Sequence, residues 1–118
     1  MLVRVDPGSE VPIFAQIASG IRRDIVAGVL APGTRLPSAR EVAAALEVNL
    51  HTVLRAYQSL REEGLLDLRR GRGATVVSPP RDLSELSSRI EDLIDVARAS
   101  GITADTLIAL VSEAAHDI

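Results

Sequence analysis

Three polar side chains recur in L-H-T-V-L-R-A-Y-Q-S-L at the spacing that aligns them along one side of a helix. His51, Arg55 and Gln58 stand at i, i+4 and i+7. With 3.6 residues per turn they point away from Val53, Ala56, Tyr57 and Leu60, which take the apolar side. Arginine and glutamine on an exposed helix face suit the hydrogen-bonding edges of guanine and adenine in the major groove. Arg55 is equally able to hold a phosphate or to bridge to Glu62 or Glu63. His51 lies near the helix start, where groove contact is made. Arg40 stands in the first turn of another helix, where backbone N–H groups and the helix dipole also favour phosphate. Its other reading is a surface ion pair with Glu41 or another acid. Arg69, Arg70 and Arg72 crowd around Gly71 and Gly73. A turn needs the glycines in any case, but three clustered arginines also suit the negative potential of a narrow minor groove.

Other chemistries find little support. The chain has no cysteine, which excludes disulfides, thiolate metal sites and thiol catalysis. His51 and His116 are lone histidines without metal-ligand spacing, so no metal and no cofactor is expected. Ser38, Thr75 and the acids form no nucleophile–base constellation, and Glu91, Asp92 and Asp95 read as a solvated helix face, so no enzyme is expected. No apolar run approaches the roughly 20 residues of a membrane helix, and M-L-V-R-V-D lacks a signal-peptide pattern. The expected location is the cytoplasm, without a membrane partner.

The net charge of −3 is unusual for a binder of polyanions, but it is unevenly distributed. Residues 1–80 carry ten Arg against eight acids, and residues 81–118 carry three Arg against eight acids. The acidity belongs to the tail. All thirteen basic residues are arginine, which favours bidentate contacts to phosphate or guanine; the codon bias of a GC-rich genome would have the same effect.

The elements that must position these side chains read as follows. Residues 2–5 suggest a short strand. Pro12 opens a first helix with Ile13, Phe14, Ile17, Ala18, Ile21 and Ile25 on one face, and Gly28 ends it. Pro32-Gly33 is a turn, and residues 34–36 add a short strand to a later hairpin. Ser38-x-x-Glu41 is a capping box that starts a second helix, with Val42, Ala43 and Leu46 buried. Glu47-Val48 forms a turn, Asn49 caps the third helix, and Gly64 stops it near Glu63. Residues 65–69 and 74–77 are strands joined by the Arg/Gly tip. Aromatics are only 2 % of the chain, so Leu, Ile, Val and Ala must fill the core.

Ser78-Pro79-Pro80 reads as a linker, which divides the chain into residues 1–78 and 79–118. In the tail, Asp82-x-x-Glu85 caps a fourth helix over 82–99. Leu83, Leu86, Ile90, Leu93 and Ala97 make a heptad-like seam that Ile94 widens. Gly101 stops that helix and Thr103 caps a fifth, which bears Leu107, Ile108, Leu110 and Val111. Two helices cannot bury this much apolar surface alone. The cover is either the first domain or a second copy of the chain; the heptad spacing and the proline linker favour the second copy.

With these residues in view, G-V-L-A-P-G-T-R-L-P-S-A-R-E-V-A (28–43) resembles the signature of the GntR family of bacterial transcription regulators. V-N-L-H-T-V-L-R-A-Y-Q-S-L-R-E-E-G-L-L (48–66) resembles its recognition-helix segment in the YtrA-like branch, and R-R-G-R-G (69–73) resembles its wing tip. The likeness covers about residues 11–77, and the short two-helix tail is similar to that branch too. The resemblance implies a mainly α fold with a small β-hairpin: a winged helix-turn-helix domain followed by a C-terminal helical hairpin for dimerisation. It also implies a DNA-binding set of Ser38, Arg40, Asn49, Leu50, His51, Thr52, Arg55, Arg70, Gly71, Arg72 and Gly73. Leu50 and Leu54 stand where many relatives carry Arg or another polar reader, so the operator of better-studied relatives does not carry over. The partners so implied are double-stranded DNA and a second copy of the chain. The dimer interface would use Leu83, Leu86, Ile90, Leu93, Ile94, Ala97, Leu107, Leu110 and Val111. The expected mechanism is repression by blocking promoter access, with activation open. An effector of unknown identity would have only a small space, such as a cleft between tail and DNA-binding domain. The alternative is a winged-helix module that docks a protein instead of DNA.

Overall fold

The computed structural model describes residues 3–70, 73–77, 83–116 and 118, and the chain forms two compact units, Met1–Arg81 and Asp82–Ile118. In the first, α1 (Ile13–Val26), α2 (Ala39–Leu46) and α3 (Leu50–Glu62) precede a hairpin of β1 (Leu66–Arg69) and β2 (Gly73–Val76). Each helix closes its core face with small aliphatic side chains at helical spacing. Ile17, Ile21, Val53 and Leu60 are fully buried, and Ala56 and Tyr57 complete the contact between α1 and α3. The hairpin is antiparallel with Leu66 opposite Val76 and Leu68 opposite Ala74, so its alternate residues add to the same core.

The segment before α2 extends the hairpin. Gly33 N donates to Val76 O at 2.8 Å, Val76 N to Thr34 O at 2.9 Å and Leu36 N to Ala74 O at 2.9 Å. Residues 33–36 therefore lie along β2 as the sequence suggests, with an isolated bridge from Arg35 to Thr75. The N-terminal segment differs from expectation. Residues 3–6 form no regular secondary structure and pair with no strand among the described residues. Their backbone is held by a side chain: Gln16 Oε1 accepts from Asp6 N at 2.7 Å, and Gln16 Nε2 donates to Asp6 O and Val11 O. Val3 and Val5 pack on the core from this arm.

In the second unit, α4 (Leu83–Ala99) and α5 (Ala104–Ala114) are joined through Gly101 at φ +73°, and Thr103 caps α5 by accepting from Thr106 N. Leu86, Ile90, Leu93, Ile94, Leu110 and Val111 all remain exposed. Ala97 does not: it is buried, and with Ile94, Ile102 and Leu107 it lines a groove of about 320 Å³ between α4 and α5. Within the single chain, the Ala97 side chain is therefore covered where the other described seam residues are not. The Leu83 backbone begins α4, while its side chain, like the linker 78–80 and the Asp82 cap, lies outside the described residues.

Candidate nucleic-acid interface

Three consecutive residues bind three different elements together. Leu36 N is bonded to β2, Pro37 O accepts a 2.6 Å hydrogen bond from Tyr57 Oη on α3, and Ser38 Oγ caps α2 by accepting from Glu41 N at 3.1 Å. The first turn of α2 is thereby fixed to the hairpin on one side and to α3 on the other. Arg40 projects from that turn, exposed and in no ion pair among the described residues. Its alternative reading, a bridge to Glu41 or another acid, does not form among the described residues. Burial, and then the negative charge of Glu41, push the Tyr57 phenol up to about 12, so it is a neutral donor throughout the ordinary pH range.

The turn between α2 and α3 is a Schellman motif. Val48 N donates to Ala43 O, and Glu47 N to Ala44 O. Glu47 occupies the left-handed position at φ +57°, where glycine is usual. Asn49 then caps α3, its Oδ1 accepting from His51 N at 2.8 Å. The capping oxygen is committed, while no protein partner among the described residues takes the Asn49 amide NH2. Along α3, His51, Arg55 and Gln58 are exposed, as the periodicity requires; Leu50 and Thr52 are half-buried.

Two contacts attach α3 to α1, and neither was evident in the sequence. Arg22 makes a two-bond pair with Glu63, Nε to Oε1 at 2.7 Å and Nη2 to Oε2 at 2.6 Å. The hydrogen bonds to Glu63 raise the Arg22 pKa further, against a smaller cost of burial. Arg55 lays its guanidinium over the Phe14 ring, 3.8 Å from the centroid. In place of a bridge to Glu62 or Glu63, Arg55 makes a cation–π stack, and Glu63 is held by Arg22. Phe14 read as a core residue from its spacing alone. An aromatic near a helix start was the available signal, but nothing local links it to Arg55.

At the hairpin, Arg69 Nε binds Asp67 Oδ2 at 2.8 Å, so this arginine is tied down within its own strand. Arg70 is exposed and in no ion pair among the described residues. Gly73, expected at the tip, opens β2 opposite Arg69 with φ +71°. Gly71 and Arg72 lie outside the described residues. Arg35, not singled out by its sequence context, is exposed where residues 33–36 join β2. Between the N-terminal arm and α1 are shallow grooves lined by Arg4, Arg23 and Asp24 or Asp6; each carries both signs of charge.

The comparisons with known proteins agree with this geometry. The model of the gntR family of bacterial regulatory proteins matches residues 14–76. The transcriptional repressor YtrA of Bacillus subtilis is 28% identical, over 99% of this chain and 95% of its own length. Among solved structures, YtrA from Sulfolobus acidocaldarius, a GntR-family transcription factor, is 36% identical with a TM-score of 0.63, over 80% of this chain and 99% of that one. AraR(DBD) in complex with operator ORX1 is 30% identical with a TM-score of 0.56, over 63% of this chain and 92% of that one.

Proposed function

The chain belongs to the GntR family of bacterial regulatory proteins, in its YtrA-like branch, and from that membership we propose that it represses transcription as a homodimer on an inverted-repeat operator. It is a DNA-binding transcription regulator and not an enzyme. One observation carries the reading: Arg40, Arg55 and Arg70 stand on α2, α3 and the hairpin, exposed and without an acidic partner among the described residues. Arginines left in this state can neutralise phosphates and release the counterions condensed on the duplex. Residues 1–78 bind the duplex and residues 79–118 dimerise. Ser38, Arg40, Asn49, Leu50, His51, Thr52, Arg55 and Arg70 are the contacting set, together with the Gly71–Gly73 tip. Two α3 helices related by a twofold axis enter successive major grooves about one turn apart. The site of action is the cytoplasm, and repression follows from occupying promoter DNA.

Fluorescence anisotropy of duplexes selected from a random pool, with unrelated duplex as competitor and salt varied, tests this reading. A steep loss of affinity with salt and resistance to the competitor are expected. Binding that unrelated DNA removes equally well would defeat the claim of an operator.

A further inference from the structure

Arg55 belongs to the solvent stripe of α3 but is not free to search it. Its guanidinium is stacked on Phe14 of α1, 3.8 Å from the ring centroid. The Arg22–Glu63 pair lies the same number of residues further along both helices and marks the side of α3 that faces α1. At 3.6 residues per turn Arg55 is about 80° from Glu63 around α3, while Gln58 and Leu54 lie on its other flank. The ring therefore draws the charge toward α1 and away from the stripe's other polar reader. Phe14 is itself half-buried and packed on the core, so it is a firm seat. Stacking occupies one face of the guanidinium and leaves its edge donors available, and no acid among the described residues takes them. A planar fork held by its face and open at its edge matches a phosphate. Phosphates line the walls of the groove, whereas base edges form its floor.

We propose that Phe14 is a positioning residue for Arg55, holding its guanidinium toward a backbone phosphate on the α1 side of the groove, so that Arg55 contributes affinity without base choice. The inference rests on the DNA-binding reading above and adds to it a division of labour along α3. Base discrimination falls to the other flank and to the start of the helix, where His51 and Gln58 are exposed.

The full-length protein and its Arg55→Ala, Phe14→Leu, Phe14→Tyr and Phe14→Leu/Arg55→Ala variants are titrated against a duplex selected by the wild type and against an unrelated duplex, over a range of salt. Thermal melting checks that each variant is folded. Arg55→Ala is expected to lose about tenfold on both duplexes alike and to lower the salt slope by about 1. Phe14→Leu loses part of the same affinity on both duplexes, and Phe14→Tyr, which keeps the ring, restores it. The double variant is no weaker than Arg55→Ala alone, the signature of residues acting through one contact. Loss by Arg55→Ala on the selected duplex only would make it a base reader and overturn the proposal. So would a Phe14→Leu loss that adds fully to that of Arg55→Ala, or no loss in either. Should the wild type bind every duplex equally, the operator reading fails while the unrelated duplex still decides the roles of Phe14 and Arg55. No binding to either duplex would overturn both.

Discussion

Tyr57 Oη donates its hydrogen bond to the carbonyl of Pro37, the residue immediately before the cap of α2. The bond joins the middle of α3 to the start of α2. The two helices of the helix-turn-helix are thus connected by this contact as well as by the Glu47 turn and their shared core. The phenol is also the chain's one tyrosine, so its titration can be observed without interference.

Tyr57 should titrate late. Its folded pKa is pushed up to about 12, first by burial and then by Glu41, while an unfolded tyrosine titrates near 10. The folded value lies above the unfolded one. The contribution to stability is therefore complete below about pH 10 and is lost as pH rises through about 12. Phenolate absorbance followed against pH should give a midpoint near 12 in the native protein and near 10 in denaturant. A native midpoint equal to the denatured one would place the phenol in water and remove the Pro37 bond.

Glu47→Gly should stabilise the first unit. Gly64 and Gly101 hold the left-handed position of the same motif after α3 and α4, at φ +80° and +73°, and Glu47 alone fills it with a side chain. Relief of the left-handed strain, less the extra freedom of glycine in the unfolded chain, amounts to roughly 0.5–1 kcal/mol. Denaturant unfolding followed by Tyr57 fluorescence measures it. A lower midpoint would mean that the Glu47 side chain contributes more than its backbone costs.

Arg40→Ala should weaken duplex binding by about tenfold while the protein stays folded and keeps its oligomeric state, since a charged hydrogen bond to phosphate contributes on the order of 1.5 kcal/mol or more. The side chain is exposed and without an ion pair among the described residues, so its removal costs the fold little. Anisotropy with a selected duplex and analytical ultracentrifugation give the two readouts. Unchanged affinity would refute its assigned role.

Leu93→Asp should break the proposed homodimer. Leu93 is 42% exposed on α4 between Ile90 and Ile94, which are exposed as well, and a carboxylate there would have to be buried against a second apolar face. Sedimentation should show monomers, and affinity for an inverted-repeat duplex should fall as the second half-site is lost. A persisting dimer would move the interface off the α4 seam.

Much of the secondary structure was legible because its signals are local. Pro12, Ser38, Asn49 and Thr103 stand at helix starts, and Gly28, Gly64 and Gly101 just beyond helix ends, where the backbone demands a particular cap or a positive φ. Two short runs on either side of an Arg/Gly tip gave the hairpin, and the addition of residues 34–36 to it followed from a short run after the Pro32-Gly33 turn; that they lie along β2 is seen only in the structure. Residues 3–5 misled because a short apolar segment looks the same whether it pairs with a strand or, as here, is held by Gln16. The burial of Ala97 was not legible because the heptad spacing identifies a face without saying which of its members are covered within the chain.

The chain's own order of residue types determined where helices begin and end, which of their sides are apolar, which polar residues share the stripe of α3, and that an arginine-rich hairpin follows. These depend on φ/ψ preferences and on periodicities of a few residues. Only the tertiary structure decided that Arg55 rests on Phe14 rather than on Glu62 or Glu63, that Arg22 claims Glu63, and that Tyr57 reaches Pro37. Each of those choices joins groups far apart in sequence, a side chain to a side chain in two cases and to the Pro37 carbonyl in the third, and each depends on which charged or polar group packing brings within reach. No local propensity encodes that competition; it is settled when α1 and the start of α2 close on α3 around their shared core.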